Sequence, residues 1–254
     1  MTSLILAIRT LTRLPIPGEH KGALAQSLPY FPFVGAILAA LLLGTGYVWS
    51  LTPFFDWYRG QALVYVVLLA LLTGGLHLDG LADWADSFGA DGDKERALQI
   101  MKDPGLGAFG AVALVLYLLL QLELITKLLE MGLGLWLWVL LVLSRGMMVE
   151  LMCFYPNARG SGLGQAYMES ANKTHRLLAQ LFALVLVYPF FGAPALSAWG
   201  VAFLWTHFFG VLSTKRLGGI TGDLIGANGL LIELILLILA LMQRPVWAPI
   251  WGGW

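Results

Sequence analysis

The 254 residues are 59% hydrophobic and 12% charged, with 15 acidic side chains against 15 basic ones and no net charge, at a mean hydropathy of +0.79. Soluble domains carry about 25% charged residues, so composition excludes an ordinary soluble domain, and the absence of a basic patch excludes nucleic acid as a partner. The one cysteine, Cys153, lies in an apolar run, which excludes a disulfide framework and a thiolate metal site and leaves it as a small buried hydrophobe.

The amino-terminal stretch MTSLILAIRTLTRLPIP has an apolar part too short for a signal peptide, and Arg9 and Arg13 follow it rather than precede it. It predicts a short amphipathic helix at the membrane interface, ended by Pro15 and Pro17. Seven apolar runs then approach the roughly 20 residues that cross a bilayer: 30–51, 62–81, 107–126, 133–154, 177–195, 196–214 and 225–243. Lys and Arg favour cytoplasmic loops. Eleven of them (Arg9, Arg13, Lys21, Lys94, Arg96, Lys102, Arg159, Lys173, Arg176, Lys215 and Arg216) fall on the amino-terminal side, and Arg59, Lys127 and Arg244 on the other. The expected topology has a cytoplasmic amino terminus and an outer carboxyl terminus. If the fifth and sixth runs formed one broken span, the carboxyl terminus would change sides. The terminal WAPIWGGW reads as an interfacial aromatic anchor. With no repeat or linker, residues 1–254 are expected to form one all-α, polytopic transmembrane helix bundle in the lipid bilayer.

Charge concentrates in residues 74–110, where seven of the 15 acidic residues lie between positions 79 and 103. Asp79, Asp83 and Asp86 are spaced i, i+4, i+7, and on a helix they share one face. Two carboxylates about 6 Å apart repel by roughly 2–3 kcal/mol at an effective dielectric near 20, and a helix carboxyl terminus disfavours them further. A hard cation relieves that repulsion, and oxygen-only ligands point to Mg²⁺. Asp223, entering the seventh run, is either a further metal ligand or the N-cap of that helix. His77 is open between binding phosphate or metal and bonding a backbone carbonyl. Asp91, Asp93 and Glu95 read as a solvated loop, with Asp93 capping the next helix.

Other residues suit an anionic substrate. Lys102 and Asp103 precede a proline- and glycine-rich turn whose N–H groups could approach phosphate. Arg145 lies inside the fourth run, where a charge costs about 2.5–3.5 kcal/mol; it either pairs with an acid, Glu150 five residues later or Glu233, to specify packing or meets phosphate in a cavity. Arg159, with Gly162 and Gly164 beside it, is a candidate phosphate fork. No strand precedes these glycines, so a dinucleotide fold is not supported. His20, His175 and His207 lack ligand spacing. On the expected topology all the carboxylate clusters face the cytoplasm, where phosphorylated substrates and Mg²⁺ are found, whereas a transporter would scatter ionisable groups near the midplane.

At these residues the chain resembles the cobalamin synthase family, also called adenosylcobinamide-GDP ribazoletransferase. The resemblance rests on GGLHLDGLADWAD at 74–86, LQIMKDPGLGAFG at 98–110, SRG at 144–146, AR followed by GLG at 158–164, GGITGDLIGA at 218–227 and TRLPIP at 12–17. Ser87, Pro104 and Leu230 stand where the family usually has glycine, serine and glutamate. The resemblance implies that adenosylcobinamide-GDP and α-ribazole, or its 5′-phosphate, yield adenosylcobalamin, or its 5′-phosphate, and GMP, with Mg²⁺ as cofactor. It implies a bacterial or archaeal cell (inner) membrane location, multi-pass, with the site facing the cytoplasm. Asp79, Asp83, Asp86 and Asp223 would hold metal, Lys102, Arg145 and Arg159 would bind the phosphates, and Asp103 or His77 would take the proton. The oligomeric state is open, a homo-oligomer included. A CDP-alcohol phosphotransferase is the nearest rival, but the glycine here follows the first aspartate and the order differs. A cation transporter using the same carboxylates is the second.

Overall fold

The structure is a computed structural model and describes residues 2–17, 24–160 and 162–243. His20, Lys21, Arg244 and the aromatic carboxyl-terminal segment lie outside the described residues. Helices account for nearly everything else: α1 (Thr2–Leu11), a 3₁₀ turn (Leu24–Tyr30), α2 (Phe31–Ser50), α3 (Tyr58–Thr73), α4 (Leu76–Asp86), α5 (Lys94–Ile100), α6 (Ala108–Glu130), α7 (Trp136–Phe154), α8 (Leu163–Met168), α9 (Lys173–Phe191), α10 (Ala193–Leu217) and α11 (Gly222–Met242). The described residues contain no strand, only an isolated bridge between Asn157 and Ile220. Among the described residues, six helices are long and apolar enough to cross a membrane, and a bent pair makes up to seven. The protein is therefore an all-α, multi-pass bundle.

The bent pair corrects one expectation. The apolar run 62–81 is not a straight span: α3 stops at Thr73, and the chain turns by 89° before α4. Gly74 and Gly75 make the turn with successive left-handed conformations, φ 62° and 71°, which side-chain-bearing residues adopt at a penalty. Hydropathy is blind to this because the apolar residues continue through the turn into the first part of α4, Leu76, Leu78 and Leu81.

The other doubtful junction is settled by a contact. Trp199 Nε1 donates to Gln180 Oε1 at 2.9 Å across Gly192. In one continuous helix those residues would stand roughly 28 Å apart, so the chain reverses and α9 and α10 are two separate helices.

Helix α7 is the centre. Of its most apolar window 83% is buried, against 17% for α9 and 22% for α6, and it packs on α2, α9, α10 and α11. Its polar groups must therefore find partners within the protein. Gly35 lets α2 approach so closely that a Cβ there would collide with the Leu141 carbonyl of α7. Helix α1 buries Ala7, Ile8 and Leu11 against α2 and the 3₁₀ turn, ending before Pro15.

Candidate active site at one end of the bundle

Since successive long helices run antiparallel, the ends of α3, α7 and α10 meet the starts of α6, α9 and α11 at one end of the bundle. Helix α4 lies there against α11, and the fit depends on absent side chains. A Cβ at Gly80 would lie 2.6 Å from the Asp223 carbonyl oxygen, and one at Gly226 would lie 3.2 Å from His77 Cα. Because Gly80 touches the backbone of Asp223, its neighbours Asp79 and Asp83 are brought beside that residue. Asp83 accordingly feels the charges of Asp223, Asp79, Arg159 and Asp86.

Two loops complete the arrangement. Residues 156–158 are strapped to the turn before α11 by Ala158 N–H donating to the Ile220 carbonyl (3.0 Å) and Ile220 N–H to that of Pro156 (2.8 Å). This strap aims Arg159, whose Nη1 donates to Asp223 Oδ2 at 2.8 Å and whose Nη2 donates to the Met101 carbonyl at 3.0 Å. Asp223 is not the N-cap of α11. Thr221 is, its hydroxyl accepting from Leu224 N–H at 3.3 Å. Asp223 stands in the first turn, where the helix dipole favours a carboxylate and its oxygen remains directed at Arg159.

The aspartates divide by occupation. Asp86 accepts from Gly107 N–H and Gly110 N–H, both at 2.8 Å, one with each carboxylate oxygen; it caps the start of α6. The glycine N–H groups expected to approach phosphate are thus engaged by a side chain. Asp93 caps α5 by accepting from Arg96 N–H at 2.9 Å, as expected, and Asp103 closes a local turn by accepting from Gly105 N–H at 2.8 Å. Among the described residues, no ion pair or hydrogen bond engages the Asp79 or Asp83 carboxylate. No three His, Cys, Asp or Glu side chains among the described residues form a ready-made metal cage.

The remaining candidates fall in different places. Lys102 and Asp103 are exposed on the loop next to Met101, at the edge of the site. Gly164 packs on the start of α11, where its Cβ would lie 2.9 Å from Gly222 N, and Gly162 is exposed before α8. Arg145 does not join the aspartates: its Nη1 pairs with Glu233 and donates to Ser144 Oγ at 2.7 Å, so the packing alternative is the one the fold adopts. His77 turns inward and is 4% exposed. The sequence reading missed Gly80, whose signal is a glycine inside an acidic helix. It also missed Arg216, which stacks 3.8 Å over Phe88 and donates to the Ser87 carbonyl, fixing the end of α4.

Fold and site together define a multi-pass α-helical membrane protein with an aspartate–arginine site at one end of its bundle. The model of the cobalamin-5-phosphate synthase family matches residues 3–241, and the chain belongs to that family. It is 41% identical over 234 residues to the adenosylcobinamide-GDP ribazoletransferase of Chlorobium chlorochromatii (strain CaD3), covering 91% of this chain and 92% of the relative. The protein of the same name from Pseudomonas syringae pv. syringae (strain B728a) is 40% identical over 245 residues, 93% of this chain and 98% of the relative. No solved structure matches the chain.

Proposed function

We propose that the protein is an Mg²⁺-dependent adenosylcobinamide-GDP ribazoletransferase, working at the cytoplasmic face of the cell's inner membrane. The names of its relatives support the reaction. The observation that carries the reading is the pair of uncommitted carboxylates, Asp79 and Asp83, beside the Arg159–Asp223 ion pair. Oxygen-only donors that form no closed cage suit Mg²⁺, which is held by one or two carboxylates while keeping water and substrate phosphate oxygens. Asp79, Asp83 and Asp223 would hold it.

In the reaction a hydroxyl oxygen of α-ribazole bonds to the corrinoid-side phosphorus, the bond from that phosphorus to the GMP oxygen breaks, and the hydroxyl proton passes to a base. Held by those aspartates, Mg²⁺ would polarise the pyrophosphate and offset the charge that develops on the leaving GMP. Arg159, fixed by two hydrogen bonds, supplies positive charge beside the carboxylates, and Lys102 adds a mobile cation at the rim. Burial sets His77 apart from the rim, so Asp103 is the better placed of the two base candidates. The excess of Lys and Arg on this side supports the cytoplasmic orientation.

The deciding experiment incubates purified protein in a bilayer with adenosylcobinamide-GDP, α-ribazole and Mg²⁺ and measures GMP. The expected result is GMP release that stops on chelation and resumes with Mg²⁺. No release, or cation flux in its place, overturns the reading.

A further inference from the structure

Residues of α3, α4, α6, α7 and α11 line a partly open cavity of about 20 Å³. His77, Tyr117, Gln121, Arg145 and Glu233 line it, and each is at most 5% exposed. Most of these groups have partners: Gln121 Nε2 donates to Tyr117 Oη at 3.0 Å, and Arg145 pairs with Glu233. Two nitrogens do not, for His77 Nε2 and Arg145 Nε are buried with no hydrogen-bond partner. Buried polar groups are nearly always satisfied, by protein or by ordered water. One water needs roughly 10–15 Å³ and two to four polar partners, and the cavity meets both conditions. Purely apolar cavities stay dry, but a buried ion pair forms part of this wall.

We propose that the cavity holds one ordered water joining His77 to the Arg145–Glu233 pair, which makes His77 a positioning residue for α4 and not a proton carrier. Arg145 Nε–H donates to the water and His77 Nε2 bonds it, while the water's remaining valences face the Glu233 carboxylate and the Tyr117 hydroxyl. Helix α4 is then held twice at His77: its backbone packs on Gly226, and its ring is tied through the water to α7 and α11. Asp79 and Asp83 ride on the same helix. The positioning role rests on the pyrophosphate reading above, whereas the water does not.

X-ray radiolytic footprinting of the full-length protein in lipid nanodiscs tests the water, because a buried side chain is hydroxylated by radicals formed from water held against it. Tyr117 is expected to be hydroxylated although 3% exposed, and Tyr65, 1% exposed and outside the cavity lining, to stay unlabelled. His77→Phe should lower the Tyr117 rate about fivefold or more by removing a polar partner of the water. An unlabelled Tyr117 in the unsubstituted chain overturns the proposal.

Kinetics test the positioning. His77→Gln, which keeps an N–H near the place of Nε2, should hold kcat within about threefold, whereas His77→Phe should lower kcat about tenfold or more with KM within about twofold. A Phe variant with unchanged kcat, or a Gln variant as impaired as the Phe variant, overturns the positioning role. If the unsubstituted chain releases no GMP, the pyrophosphate reading fails alone, and the Tyr117 label still decides the water.

Discussion

Inside the bundle, Glu233 meets Arg145, and Glu150 meets Arg176 at 3.5 Å and His207 at 3.4 Å; at the end of the bundle, Asp79 and Asp83 form no ion pair among the described residues. The same chemical group is thus neutralised where the surroundings are apolar and left unpaired where they are open. An unpaired interior charge would lose several kcal/mol of solvation, so Glu233 and Glu150 exist only with partners. Asp79 is exposed and Asp83 half-buried, so water or a diffusible cation can reach them. Interior acids hold the fold together, and those at the end are available for chemistry.

The strongest break in that comparison is Glu233→Leu, which strands Arg145 in the interior. Losing one partner of a buried pair costs about 3–5 kcal/mol, so thermal unfolding in nanodiscs should fall sharply. Arg145→Met combined with Glu233→Leu should recover most of the loss, and no recovery would show that the pair is not the source of stability. Asp83→Asn attacks the other region. Removing that charge should lower GMP release about 100- to 1,000-fold, roughly 2.7–4 kcal/mol of transition-state stabilisation, while the unfolding temperature holds or rises, because Asp223, Asp79 and Asp86 repel the carboxylate that is removed. Full activity in that variant would remove Asp83 from the metal site.

These contrasts were only partly legible in the sequence. The bundle was, because each span is a long apolar run, and the Arg145–Glu233 pair stood among the alternatives because each is a charge inside such a run. The break between α3 and α4 was not, since hydropathy averages over direction; the Gly74–Gly75 pair was its one local sign. The spacing of Asp79, Asp83 and Asp86 grouped three equal residues, yet tertiary structure separates them. The start of α6 arrives beside Asp86 and engages both of its oxygens, and no periodicity within α4 foretells where α6 begins. Asp223 stood open between ligand and cap for the same reason, and Thr221, two residues earlier, performs the capping.

A subtler probe joins the two regions. Gly80→Ala puts a methyl group 2.6 Å from the Asp223 carbonyl, and overpacking of this kind costs about 1–3 kcal/mol. Helix α4 must then lift off α11, carrying Asp83 away from Asp223. Unfolding should shift down modestly, and GMP release should fall about tenfold or more through displacement of the carboxylates. Lost stability with intact turnover would show that the site tolerates this separation.

The smallest effect is expected from Asp93→Ala. Its carboxylate accepts one backbone N–H at 2.9 Å on the exposed first turn of α5, and losing such a cap costs about 1 kcal/mol. Helix α5 is short and packs near the turn that follows α4, so the loss should appear as faster amide exchange in residues 94–100 with GMP release unchanged. Asp93 belongs to the same acidic stretch as Asp83, and charge alone would rank them together. A large loss of turnover on removing Asp93 would mean that the stretch acts through its total field; an unchanged rate beside a disabled Asp83→Asn would mean that it acts through the two carboxylates the fold leaves unpaired.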